Sequence, residues 1–276
     1  MKATIKSGGI LRYGIPDFRL PKINLERLSV KLVEMGVRIK PNTMIGTNIT
    51  IDNLFRDDFK AILMGTGVWR PSKLNIKGES LGHVHYAIEY LRNPSVYHLG
   101  KRVAIIGAGN VAMDVARTAF RHGAEEVYII SRRGESTVSA RPTEVEYAKI
   151  DGAQFEFYKT PVEFVEEGVI LADSEVYTSE TGEEASRPIP GTEKLFQADS
   201  VIIAISQGPR AVIVSSTTGI EVLPNGLVKV DEFGRTTREG VFASGDVVTG
   251  PKTVVEAVRR SKIVANAIDE YVQSLK

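Results

Sequence analysis

The chain has 276 residues, and 35 Lys and Arg against 34 Asp and Glu leave a formal net charge of +1, so no broad electrostatic attraction to nucleic acid or an anionic membrane is expected. It contains no cysteine, which excludes a disulfide, a thiol redox pair and a cysteine-ligated iron–sulfur cluster within these residues. At 42% hydrophobic and 25% charged, with no apolar run long enough to span a bilayer, the composition fits one large globular domain or two smaller ones.

The opening MKATIKSGG is too polar for a secretory leader, so a cytoplasmic enzyme is expected. Residues 8–22, GGILRYGIPDFRLPK, are punctuated by Gly and Pro and carry Arg12, Arg19 and Lys22. They read as an irregular loop, either a surface crossover or a ligand-facing segment. Asn24 is placed to cap a helix through Met35, with Leu25, Leu28 and Leu32 on one face and Gly36 as its stop. A short strand is expected over Val37–Ile39. A buried strand over Phe59–Met64 ends in Gly65-Thr66-Gly67, and 68–82 read as loop. The spacing predicts a helix over His83–Leu91, ended by Asn93-Pro94. His83 and His85 lack a third ligand nearby, so no metal site is expected.

Lys101–Arg133, KRVAIIGAGNVAMDVARTAFRHGAEEVYIISRR, is the most informative stretch. The apolar run Val103–Ile106 meets a turn containing Gly107 and Gly109. A helical pattern rich in small residues follows, stops at Gly123, and leads to a second apolar run, Val127–Ile130. This is the strand–turn–helix–strand context of a dinucleotide fingerprint. Gly107 permits the tight turn, Gly109 lets backbone approach a pyrophosphate, and Ala112 lets helix and strand pack closely. Asn110 and Val111 open the helix, where unpaired N–H groups and the dipole favour an anion. An NAD site usually carries an acidic residue at the end of the second strand. Here Ser131 is followed by Arg132 and Arg133, whose guanidinium groups suit a 2′-phosphate, so NADP(H) is the expected ligand. Arg141 is either a further phosphate contact or a plain loop arginine.

Beyond Arg133 a short helix is expected over Thr143–Lys149. Phe155–Phe157, Val162–Val165, Val169–Leu171 and Glu175–Thr178 read as an antiparallel meander with turns at Gly168 and around Gly182. Ala198–Ile205 has the near-continuous apolar run of a buried parallel strand. Gly208-Pro209 marks a boundary, and Gly219–Val230 reads as short strands around the turn Pro224-Asn225-Gly226. Gly240–Asp246, GVFASGD, reads as a strand ending in Gly-Asp, and VVTGPK as loop. Thr253 opens a final helix with Val254, Val258, Ala265, Ile268 and Val272 at helical spacing.

Taken together, GGILRYGIPDFRLPK, GTG at 65–67, GAGNVAMDVART at 107–118, SRR at 131–133, ARPTEVEYAK at 140–149 and GVFASGDVVTGPKTVVEAV at 240–258 resemble the NADPH-dependent glutamate synthase small (beta) subunit family. These are flavoprotein oxidoreductases with two dinucleotide-binding domains. The motifs run across nearly the whole chain in the family's order. The resemblance implies an α/β fold in which a Rossmann-like three-layer NAD(P)-binding domain, residues 99–205, is inserted in a partial FAD-binding domain, residues 1–98 and 206–276. It implies that Asp246, after Gly245, hydrogen-bonds the flavin ribityl chain. Amide groups near Thr253 and Val254 would face the flavin pyrimidine edge, where a helix N-terminus favours negative charge on the reduced flavin.

The resemblance also implies an activity: hydride passes from NADPH to FAD, a step that needs no acid–base residue. Electrons then go to a partner, either an electron-accepting protein or a chain like the glutamate synthase large subunit. Family members carry a first glycine-rich βαβ unit for the ADP half of FAD, often after a cysteine-rich segment. These 276 residues hold neither, and begin about where that unit ends. Another polypeptide would complete the flavin site, or the chain is a truncated, non-catalytic NADP(H)-binding module. Loss of a central strand would expose sheet edges and favour a partner or a homo-oligomer. A dehydrogenase of small organic substrates is disfavoured, because no Ser-Tyr-Lys or His constellation stands ready to move a proton.

Overall fold

A computed structural model describes residues 6–179, 182 and 184–276. Its first elements are α1 (Gly9–Tyr13), α2 (Lys22–Glu34), α3 (Ile51–Arg56), β1 (Ile62–Met64), β2 (Arg70–Pro71), β3 (Val84–Tyr86) and α4 (Ala87–Arg92). Then come β4 (Arg102–Ile106), α5 (Asn110–Arg121), β5 (Glu126–Ser131), α6 (Pro142–Ile150), β6 (Gln154–Phe157), β7 (Lys159–Val165), β8 (Gly168–Thr178), β9 (Glu184–Pro188), β10 (Lys194–Gln197) and β11 (Ser200–Ile203). The chain ends with β12 (Gln207–Gly208), α7 (Val212–Ser215), β13 (Val241–Ala243), α8 (Asp246–Thr249) and α9 (Val254–Ser274). The contacts divide it into two units. One comprises residues 6–10, Ile23–Ser72 and Ser206–Lys276, the other Leu11–Lys22 and Lys73–Ile205.

The second unit is built on a parallel five-stranded sheet in the order β3-β11-β4-β5-β6. The sequence makes this sheet by supplying strands that are apolar on both faces. Val103, Ala104, Ile105 and Ile106 of β4 are all buried, as are Val201, Ile202 and Ile203 of β11, the mark of a parallel sheet covered on both sides. On one face Ala112, Val115, Ala116 and Ala119 of α5 pack onto Val103, Ile105, Val127 and Ile129. These small residues let the helix axis come close to the sheet. On the other face Ala104, Ile106, Ile130 and Val201 meet Phe164, Val169 and Leu171. The latter belong to an antiparallel sheet in the order β10-β8-β7, with β9 also paired to β8. Helix, parallel sheet and antiparallel sheet form three layers.

The first unit is poorer in strands. β1 and β13 pair in parallel, Ile62 with Val241 through Met64 with Ala243, and β2 and β12 form a separate antiparallel pair. Met64, Val241, Ala243, Val247 and Ile51 share one core cluster, while Phe242 packs with Val264 and Ala267 of α9. The Ile62 N–H donates to Gly240, and Met64 accepts from the Ser244 N–H. Leu63, between them, therefore turns its backbone groups to the opposite edge of β1, where no strand pairs with it among the described residues.

Several local expectations are corrected. Residues 37–39 form no strand, and the strand ending at Met64 begins at Ile62. Helix α2 starts at Lys22, so Asn24 lies in its first turn and does not cap it; of the face expected to be buried, only Leu25 is. His83–Leu91 divides into a strand and a helix, because Val84–Tyr86 pairs with Val201–Ile203 of β11 and that tertiary pairing overrides the local helical pattern. The same pairing joins 73–98 to the second unit, so the observed division falls at 72/73, not at 98/99. Phe155–Phe157 is no part of the meander: β6 extends the parallel sheet beside β5. The two strands expected across 169–178 are one, β8. Gly219–Val230 holds isolated bridges only. Asp246–Thr249, expected as a strand end and loop, is one helical turn. Helix α9 forms as expected, with its apolar stripe rotated: Val264 and Ala267 are buried, while Val254 and Val258 are exposed. The turn around Gly182 involves residues 180, 181 and 183, which lie outside the described residues. Among the described residues no helix is long and apolar enough to cross a membrane.

Candidate functional site

The candidate site lies in the second unit, where β4 gives way to α5. Gly107 has φ +114°, and a Cβ there would stand 2.6 Å from the Ala204 carbonyl oxygen. The Gly107 N–H donates to the Ile130 carbonyl at 2.9 Å. The turn is thus locked between β5 and β11 at the carboxyl ends of the strands, where parallel sheets bind ligands. Gly109 is the N-cap of α5 at φ −89°, and no side chain caps the helix. A Cβ on Gly109 would meet only the Ser139 hydroxyl, at 3.5 Å. The two glycines therefore differ: Gly107 is required by the fold, and Gly109 keeps open the approach to the helix terminus. Ala112 is fully buried against the sheet.

Residues from the segment after β5 close over this turn. The Asn110 side-chain carbonyl accepts from the Arg141 N–H at 2.9 Å, and Ala140 N–H donates to Ala108 at 3.3 Å. The structure thus brings Asn110 and Arg141 together, 31 positions apart. It also adds Ser139, which carried no signal in the sequence because its role depends on how 134–141 folds back. The two arginines at the end of β5 part company. Arg133 donates to the Glu184 carbonyl at 2.8 Å, with its guanidinium Nε 3.6 Å from the Glu184 carboxylate. Arg132 is exposed and makes no ion pair among the described residues.

Behind the turn, α5 carries a buried charge. Asp114, 4% exposed, accepts from the Arg19 guanidinium through both oxygens, at 2.8 and 2.6 Å. Arg19 also reaches Glu144 of α6 at 2.9 Å. Burial raises the Asp114 pKa to about 6, and Arg19 opposes the shift without cancelling it. Arg117 and Arg121 bind Asp151 at 3.0 and 2.7 Å and cover the Phe18 ring at 4.6 and 4.2 Å. Of the basic residues in 8–22, Arg19 is therefore spent on anchoring this segment to α5 and α6. Lys22 donates to the backbone of Ile15 and Leu20.

The Gly-Asp motif lies in the first unit. Gly245 adopts φ +75° ahead of α8. Asp246 accepts from the Lys252 N–H at 3.3 Å, and its pKa is raised by burial, with Glu256 adding to the shift and the Lys252 amide opposing it. Thr253 caps α9 by accepting from the Glu256 N–H at 3.3 Å. Its hydroxyl is thereby occupied, and Val254 follows, 41% exposed, as the first helical residue.

Residues 21–261 match the family model described as pyridine nucleotide-disulphide oxidoreductase. The chain belongs to that family. Among pyridine nucleotide-disulphide oxidoreductases and their kin, it is 37% identical to the NADP(+)-dependent formate dehydrogenase subunit beta of Moorella thermoacetica, over 97% of this chain and 39% of the relative. It is 33% identical to the glutamate synthase [NADPH] small chain of Halomonas elongata, over 96% of this chain and 60% of that one. The chain thus spans about two fifths to three fifths of the length of these relatives. Its fold is that of FprA from Mycobacterium tuberculosis, solved in complex with NADPH (TM-score 0.76, 18% identity, 96% of this chain and 75% of that one). It is also that of thioredoxin reductase from T. acidophilum (TM-score 0.71, 21% identity, 100% and 89%). The disulphide chemistry in the family's name is closed to these 276 residues, which contain no cysteine.

Proposed function

We propose that the chain is an NADPH-dependent component of a flavoprotein oxidoreductase, taking hydride from NADPH to FAD and handing electrons to a partner protein. The observation that carries this reading is the uncapped N-terminus of α5 behind Gly107 and Gly109, with exposed Arg132 at the end of the neighbouring strand. The residues fit the nucleotide. Gly107–Ala112 would hold the pyrophosphate, with Arg141 beside it, and Arg132 the 2′-phosphate. Gly245, Asp246 and the first amides of α9 at Thr253 and Val254 would hold the flavin half of FAD. When bound, the nicotinamide supplies the hydride and the flavin accepts it. The chain's own part is to orient these groups and to set the charge around them. A helix terminus offers partial positive charge to a phosphate or a reduced flavin. Likeness to subunits of glutamate synthase and formate dehydrogenase supports a protein partner.

The arginines give the first test. Arg132→Ala is expected to weaken NADPH binding by about 10- to 100-fold, the worth of a charged hydrogen-bonding partner, with NADH nearly unchanged in calorimetric titration. Arg133→Ala is expected to cost less, because Arg133 already serves Glu184. Equal losses for NADPH and NADH would remove the argument for 2′-phosphate recognition.

A second reading rests on the open edge of β1 and on the exposed apolar side chains Leu28, Val30 and Val33 of α2. Parallel sheets are normally covered on both faces, and an unpaired strand edge is a template for a further strand. In this reading the chain binds NADP(H) and waits for another polypeptide to complete the flavin site. Anaerobic addition of FAD and then NADPH to the purified chain decides between them. Bleaching of protein-bound flavin supports the complete component, and NADPH retention without flavin uptake supports the module. Failure to bind either defeats both.

A further inference from the structure

We propose that Tyr158 is a specificity-determining residue of the nucleotide site, its phenol hydroxyl donating a hydrogen bond to the 2′-phosphate beside Arg132. The inference rests on the NADP(H) reading above and adds to it a residue that no sequence motif marks.

Three observations place Tyr158 there. β5 and β6 are parallel neighbours, and their ladder ends with Ser131 opposite Phe157. Arg132 and Tyr158 are the residues that directly follow these two neighbouring strand ends, so both leave the sheet at the same place. Tyr158 also has φ +56°, a left-handed conformation that is unfavourable for a non-glycine residue. A tyrosine is held so only where the surroundings determine it, and such residues gather at ligand sites. Finally, the ring lies over Gly134, two residues past Arg132. A Cβ on Gly134 would fall 2.2 Å from the phenol oxygen and 2.7 Å from the ring carbon that bears it. Glycine and tyrosine are therefore matched, and the match fixes where the hydroxyl stands.

The chemistry follows from what the two arginines do. Arg133 is turned to Glu184, which leaves Arg132 as the cation at the strand end. A dianionic 2′-phosphate has more acceptor positions than one guanidinium fills, and an O–H donor in the adjacent position supplies another. Tyr158 is 52% exposed, so its side chain is not sealed off by the fold from a ligand at the strand end. NADH has a 2′-hydroxyl in place of the phosphate, and does not gain the charge-assisted bond.

Tyr158→Phe tests this, because phenylalanine keeps the ring over Gly134 and removes only the hydroxyl. Dissociation constants are measured for NADPH, NADH and 2′,5′-ADP on the wild type and the variant. The expected result is a weakening of about 3- to 10-fold for NADPH and 2′,5′-ADP, the worth of one hydrogen bond, with NADH unchanged. That NADH value also reports an intact fold. A wild type that prefers NADPH and a variant that keeps the full preference would overturn the role of Tyr158 while leaving the NADP(H) reading standing. A wild type with no preference would overturn both.

Discussion

Replacing Arg19 by alanine is expected to destabilise the chain by about 3–5 kcal/mol, the cost of leaving a buried charge without its partner. Asp114 lies on the sheet-facing helix α5 and is 4% exposed; both its oxygens accept from Arg19. The loss depends on pH in a defined direction. Burial lifts the folded-state pKa of Asp114 to about 6, above that of an unfolded aspartate. Its contribution to stability is therefore fully present at low pH, below the unfolded value, and is lost as pH rises through about 6. Removing Arg19, which opposes the shift, moves the folded pKa further up. Urea denaturation should accordingly show a larger difference between wild type and Arg19→Ala at about pH 8 than at about pH 5. Asp114→Asn in the Arg19→Ala background removes the buried charge and should restore much of the loss. A pH-independent difference, or no recovery in the double variant, would show that Arg19 acts through packing over α5 and α6 and not through Asp114.

Gly107→Ala and Gly109→Ala should separate fold from function. At Gly107 the new methyl would stand 2.6 Å from the Ala204 carbonyl oxygen at φ +114°. Strain and overpacking together predict a loss of about 2–5 kcal/mol and, with the turn displaced, no NADPH binding. At Gly109 the backbone is extended and the methyl meets only Ser139 at 3.5 Å. Stability should fall by only about 0.5–1 kcal/mol, the preference of an N-cap for Gly over Ala, while NADPH binding falls because the methyl stands before the helix terminus. Thermal melting and titration on both variants check this. Unchanged binding in Gly109→Ala would move the phosphate away from the turn.

These results would be read against a fold whose second unit was largely legible in the sequence. The strands β4, β5 and β11 announce themselves because a parallel strand covered on both faces must be apolar throughout. Gly107, Gly109 and Ala112 are legible because the backbone at a tight turn, and the spacing of helix and sheet, admit few residue types. The helical spacing of 83–91 misled because a three-residue strand has too little pattern to outweigh it; only pairing with β11 makes Val84–Tyr86 a strand. The buried stripe of α9 was misplaced for a related reason. Val264 and Ala267 lie on a different face of the helix from Val254 and Val258, and which face meets Phe242 is decided by the sheet. The diversion of Arg133 from Arg132, and the place of Tyr158, were beyond reach. The partner of Arg133, Glu184, lies 51 positions away, and Tyr158 is placed by strand register, which sequence does not state.

Calorimetric titration of the purified wild-type chain with NADPH and with NADH tests most directly whether the turn at Gly107–Ala112 and the arginine beyond β5 form an NADP(H) site. NADPH is expected to bind at one site per chain, at least about 10-fold more tightly than NADH, as one charged contact to the 2′-phosphate requires. Equal affinities, or no binding of either nucleotide, would contradict that assignment.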